Sequence, residues 1–215
     1  MLYEEVVFPS SNEFGIPDLL PHKIAKFVPL PFTRWNAGKR SHRLRGVAHY
    51  YTDDARFTGL LKNPDAVKET GFSCFVEPNF STNDTQPLTL VLQEIYKKRW
   101  LARYWQGLGY NIIVDLAIAP RYREYALLGV PYRTQAYGTY YSPKENDLEW
   151  LEDDYIQART HAGRRPDIFI VYGGTKELGE QWTKRGWMWF PKTQRNIFAN
   201  TESKGKSNVA KPTAD

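Results

Sequence analysis

Three carboxylates stand where a chain would put them if it meant to use them. Asp115 interrupts the apolar run IIVDLAI, where a charge is costly unless it is paired or functional. Glu77 ends the apolar stretch FSCFVEP just before Pro78, and Asp54 follows Asp53 at the end of VAHYYT. Carboxylates gathered from the ends of neighbouring strands either hold a divalent cation such as Mg²⁺ or work as an acid–base pair. Asp54, Glu77 and Asp115 are therefore the expected catalytic and metal-ligating residues. A simpler role also fits Asp53 and Asp54, capping the turn that begins ARFTGLL.

The cations are segregated. Residues 34–45 (RWNAGKRSHRLR) hold five Lys or Arg and no acid, and residues 97–103 hold four more, whereas residues 145–154 hold six acids and no base. With a formal charge of +5 and a pI near 9.1 this permits nucleic acid as a partner. The expected phosphate-binding residues are Arg34, Lys39, Arg40, Arg43 and Arg45, joined by Lys98, Arg99 and Arg103, with Trp100 or Tyr104 placed to stack on a base. Arg99 lies between Ile95 and Ala102 on an apolar stripe, which points to burial against an acid or contact with a ligand. Gly173-Gly174-Thr175 lies between a strand and a helix and could receive an anion on its N–H groups. It is neither GxGxxG nor a Walker A loop, and no GxSxG or kinase set is present. His22, His42, His49 and His161 show no paired metal-ligand spacing. The single cysteine, Cys74, reads as a small core residue.

Alternating elements must position these groups. Strands are expected at VAHYYT, FSCFVEP, NIIVDLAIA, around residues 134–140, at DIFIVYGG and at WMWFP. The strongest helix runs from Leu88 to Leu108, with Pro87 at its start and Gly109 at its stop. Further helices are expected over 147–162 and 176–184. Six strands separated by helical segments predict an α/β domain with a mainly parallel sheet and right-handed crossovers. It would be an open three-layer sandwich or a small, incomplete β/α barrel, with the open sheet slightly favoured because six strands fall short of eight. Residues 1–45, punctuated by five prolines, read as an extended arm, 46–192 as the single domain, and 193–215 as a disordered polar tail. The N-terminal stretch carries acids where a signal peptide needs a basic flank, and no apolar run approaches the roughly 20 residues of a membrane span. A cytoplasmic location and no membrane partner are expected.

These residues together resemble a family. The order is a basic stretch, VAHYYTDDARF, an NP turn, EPNFS, YKKRWLARYWQGLGYNIIVD and IFIVYGG, and over roughly residues 29–191 it is similar to the DUF4417 family of bacteria, archaea and their viruses and plasmids. Members resemble one another in a P-D-F-S motif at the end of the second strand. Here Glu77 precedes Pro78, and Asn79 stands in place of that Asp. The resemblance implies a mobile-element context rather than an activity. Three functions are therefore expected in order: a phage- or plasmid-type nucleic-acid-processing or replication protein, Mg²⁺-dependent and nuclease-like; a non-catalytic DNA- or RNA-binding protein; and a barrel-like hydrolase or sugar-binding enzyme with Glu77 and Asp115 as acid and base between aromatic walls.

Overall fold

In the computed structural model of the chain, residues 5–35, 45–143 and 148–192 are described. Seven strands form one sheet: β1 (Phe32–Arg34), β2 (Val47–His49), β3 (Cys74–Val76), β4 (Asn111–Asp115), β5 (Ala136–Tyr141), β6 (Ile168–Gly173) and β7 (Met188–Phe190). They lie in chain order, and every neighbouring pair is parallel. The crossovers are 3₁₀ turns after β2 and β4, α1 (Leu88–Gly107) after β3, α2 (Leu148–Ala162) after β5 and α3 (Lys176–Lys184) after β6.

Sequential order has a geometric consequence. Right-handed crossovers that always step in one direction put every connection on the same face of the sheet. That face is covered: Tyr50 and Phe75 pack on Trp105 of α1, Phe169 on Tyr155 of α2, and Tyr141 on Trp182 of α3, with ring centroids 5.1–5.7 Å apart. Among the described residues the opposite face has no helix to bury it, and it buries itself by curling. Phe32 of β1 stacks on Phe190 of β7 at 4.3 Å and on His49 at 4.5 Å, while Tyr51 stacks on Tyr172 at 5.6 Å. The sheet nearly closes into a barrel with an aromatic interior. Gly138 belongs to this packing, since a β-carbon there would lie 2.9 Å from the Tyr51 hydroxyl.

The parallel α/β architecture is as expected, but with seven strands rather than six, and the barrel-like alternative replaces the slightly favoured open sheet. The seventh strand comes from the segment expected to be an arm. Phe32, Ile16, Leu19, Ile24 and Ala25 are buried, the Ala25 N–H donates to the Ile112 carbonyl at 2.8 Å, and the Trp100 indole donates to the Val6 carbonyl. Beside the lower half of β4, where β5 has not yet begun, Ile24 bridges to Ile112 and continues the ladder. Residues 193–215, expected to be a polar tail, lie outside the described residues. The helix expected over residues 88–108 is α1, capped by Leu108 and followed by Gly109 at φ +102°. No helix among the described residues is long and apolar enough to cross a membrane.

Candidate functional site

In sheets of this kind ligands bind at the carboxyl ends of the strands. There a cavity of about 320 Å³ opens between the loops that follow β3 and β4, the end of β5 and the start of α2. Asn79, Thr82, Arg123, Tyr140, Trp150 and Asp154 are among its walls. The loop after β3 is held in place by its own polar groups. Asp54 accepts the N–H and the hydroxyl of Ser81, each at 3.0 Å, Thr82 accepts the Ala119 N–H at 2.8 Å, and Asp84 accepts the Arg121 N–H at 3.0 Å. Asp53 caps the turn after β2 through the Ala55 N–H, as the capping role anticipated.

Two carboxylates line this cavity: Asp84, which anchors the loop, and the buried Asp154. Asp154 is 7% exposed, accepts the Thr139 hydroxyl at 2.6 Å and lies 3.5 Å from Nε of Arg123. Burial raises its carboxyl to about 7, the Thr139 hydrogen bond and the Arg123 charge pull the other way, and Asp115 adds to the rise. Arg123 is spread across α2: it reaches Asp153 at 2.9 Å and the Trp150 carbonyl at 3.4 Å, while its own carbonyl accepts from Gln157. The result is a half-neutral acid at the edge of a polar cleft with a cation beside it.

The expected carboxylates divide. Glu77 and Asp115 are brought together, since Oε2 of Glu77 accepts the Asp115 N–H at 3.0 Å. Both are fully buried and already neutralised. Arg99 donates Nη1 to both oxygens of Glu77, and its remaining donors go to the carbonyls of Leu128 and Ala126 at 2.9 and 2.8 Å. Asp115 accepts from Lys98 Nζ at 3.3 Å, from Asn79 at 3.4 Å and from the Ala117 N–H at 3.3 Å. Burial raises the Asp115 carboxyl, Lys98 opposes that, and Glu77 adds to it. Asp54 stays at the rim with Ser81. Among the described residues no group of three His, Cys, Asp or Glu could hold a metal ion. Asp54, Glu77 and Asp115 therefore do not fit Mg²⁺: two of the three already share their oxygens with buried cations, and the third anchors a loop.

The expected phosphate surface is also rearranged. Lys98 and Arg99 are 3% and 0% exposed and serve the two acids. Trp100 is 0% exposed, Tyr104 donates to Asp65 at 3.0 Å, and Arg103 lies 4.9 Å over the Phe8 ring, where burial lowers its pKa. A basic residue on a helix stripe that faces an acidic strand end is drawn inward, so this part of α1 offers no phosphate-facing row. Arg34 and Arg45 are exposed; Lys39, Arg40 and Arg43 lie outside the described residues. The Gly173-Gly174 pair serves packing rather than anion capture. The Gly174 N–H goes to the Tyr141 carbonyl, and β-carbons at the two positions would meet Tyr141 and the Trp182 ring. Their φ values of +103° and +75° favour glycine.

Asp154, Thr139 and Arg123 were missed by the sequence reading, because Asp154 closes an acidic run that looks like a solvated helix start. A signal was present. Leu151, Asp154, Ala158 and Ala162 fall at helical spacing on the buried stripe of α2, so the acid sits where an apolar residue belongs.

Known proteins supply the family context. The Gene 1 protein of Mycobacterium phage L5 is 31% identical over 134 residues, covering 59% of this chain and 56% of that protein. The Gene 1 protein of Mycobacterium phage D29 is 26% identical over 132 residues, covering 59% of this chain and 48% of that protein. The chain thus spans about half the length of these curated relatives. No solved structure matches it. The family model described as a domain of unknown function, DUF4417, matches residues 8–181, and the chain belongs to that family.

Proposed function

We propose that the chain is a barrel-type acid–base enzyme, hydrolytic in class, that acts on a small hydroxyl-bearing ligand in the cleft at the ends of β3, β4 and β5. The observation that carries this reading is Asp154, a nine-tenths buried carboxyl beside a cavity with its pKa raised to about 7. A general acid–base works best when its pKa lies near the operating pH, and burial is a common way to bring a carboxyl there. Thr139 fixes the carboxyl's direction, and Arg123 would stabilise the anion formed when the proton leaves. Asn79 and Thr82 supply polar edges, and Tyr140 and Trp150 supply ring surface of the kind that receives the apolar face of a sugar or base. This is the hydrolase reading with Asp154 in the acid–base place first given to Glu77 and Asp115. Nucleic-acid processing keeps the support of phage kinship and net charge, but its three-carboxylate metal centre is not assembled.

The test is a carbon-13 NMR titration of the Asp154 carboxyl, assigned by its loss in Asp154→Asn, alone and with glucose, ribose or adenosine added. The expected midpoint is near 7, moved by at least one of the three probes. A midpoint below 5, or resonances of Asp154 and Trp150 that no probe moves, would refute the proposal.

A further inference from the structure

A second surface lies on the outer side of α2, away from the cleft. A groove of about 750 Å³ runs along its C-terminal half, and Arg159, Arg164 and Arg165 line it with no acid among the lining residues. Exposed Ile156 and half-buried Tyr155 are part of the same lining. The three arginines are exposed. Both terminal nitrogens of Arg164 are engaged by the two oxygens of exposed Asp167, each at 2.8 Å, and one nitrogen of Arg165 donates to the Gly186 carbonyl at 3.0 Å. Arg164 is thus held in place by an exposed carboxylate, and Arg159 and Arg165 leave most of their donors to solvent.

The neighbouring loop adds an aromatic. Gly163, a lining residue, holds a φ of +71°, and a β-carbon on it would come within 3.9 Å of the Tyr132 hydroxyl. Tyr132 thus borders the groove, and it is 69% exposed although it is a large ring. Arg133 lies 5.8 Å from that ring and is itself held at φ +66°, the left-handed region that glycine adopts freely and arginine rarely does. Its N–H is tied to the His161 carbonyl at the end of α2, so the strained residue stands beside the arginine row. Strain at a non-glycine position is characteristic of functional surfaces.

We infer that this groove binds single-stranded nucleic acid, with Arg133, Arg159, Arg164 and Arg165 on the phosphates and Tyr132 stacked on a base. A cationic track with an exposed ring beside it is the arrangement that holds a strand without reading its sequence. Planar guanidinium groups suit phosphate oxygens, and α2 contributes no competing acid at this end. The site is distinct from the cleft, and it stands whether or not Asp154 is catalytic.

The experiment is fluorescence anisotropy of the full chain with a labelled twelve-residue oligothymidylate across a range of salt. The triple variant Arg159→Ala, Arg164→Ala, Arg165→Ala should flatten the slope of log affinity against log salt by about 2, since each phosphate contact on a single strand contributes about 0.7. Tyr132→Ala should weaken binding by about tenfold through lost stacking. Arg133→Gly relieves the backbone and should melt no lower than the parent while lowering the slope by about 0.7, which separates a binding role from a folding one. Unchanged slope in the triple variant overturns the inference. So does an unchanged affinity for Tyr132→Ala, which would leave only ion exchange, and so does displacement of the oligonucleotide by polyglutamate as readily as by unlabelled oligonucleotide, which would point to an acidic protein partner.

Discussion

The burial of Asp154 makes a stability prediction that needs no substrate. Its carboxyl titrates near 3.8 when exposed and at about 7 in the folded protein. The native state therefore holds a proton that the unfolded chain has released, and unfolding stability falls as pH rises from about 4 to about 7. At about 1.4 kcal/mol per pH unit, the gap between the two values corresponds to about 4 kcal/mol, all of it lost by pH 8. Asp154→Asn removes this titration but keeps an oxygen that can accept from Thr139. It also leaves Arg123 without a charge partner on that side, a cost that changes little once the pH is above 7. The assay is urea unfolding of parent and variant at pH 4.5, 6, 7 and 8. The stability of the parent minus that of the variant should fall across this range by about 3–4 kcal/mol. The difference is the right observable because His49 imposes an opposite trend on both proteins, which cancels in the subtraction. A difference that stays flat within about 0.5 kcal/mol would show that Asp154 is ionised throughout, and the argument for a half-neutral acid in the cleft would fail.

Two further outcomes follow from the buried groups. Glu77→Gln leaves the Arg99 charge buried with only two carbonyls and a neutral amide, and should cost about 3–5 kcal/mol in urea unfolding; a loss under about 1 kcal/mol would mean that the carbonyls of Leu128 and Ala126 already satisfy the guanidinium. His49 is held neutral in the barrel interior, its pKa lowered to about 3 by burial first and by Arg34 second. Its folded pKa lies below its unfolded one, so its stabilisation is complete above about 6.5 and is lost as pH falls toward 3. His49→Phe, which keeps a flat ring against Phe32, should remove about 2 kcal/mol of the parent's loss between pH 6.5 and pH 4.5; equal acid sensitivity in the two proteins would contradict a neutral imidazole.

The elements with strong periodicity were legible. α1 announced itself through Pro87, an apolar stripe and Gly109, and the long apolar runs became β4 and β6. β1 was not legible, because a three-residue strand between Pro31 and a basic stretch has too few residues to show a period, and its existence depends on a ladder to β2 that only the fold supplies. Barrel closure was hidden for a related reason. Six visible strands fitted an open sheet, and the curl depends on where the seventh puts Phe32 relative to Phe190.

The candidate site shows how one rule was applied to some residues and withheld from others. A charge placed among buried apolar residues must find a partner or a use. That rule correctly marked Asp115 and Arg99, and the structure supplies partners for both: Lys98 for the first and Glu77 for the second. Their charges are spent on each other, which removes them as a metal centre and as a phosphate surface at one stroke. Lys98 was expected on the phosphate-binding surface, yet it lies on the same side as Ile95 and Ala102 and is drawn to the strand end. Asp154 satisfies the same condition on α2, between Leu151 and Ala158, and was passed over because five other acids precede it in residues 145–153. It differs from the paired charges in what faces it. Its short hydrogen bond comes from a neutral hydroxyl, its counter-cation Arg123 sits at 3.5 Å and is shared with Asp153, and a cavity opens in front. Among the buried charges at the mouth of the barrel, Asp154 is the one that lines a cavity with room for a ligand, and the acid–base role proposed for it rests on that coincidence.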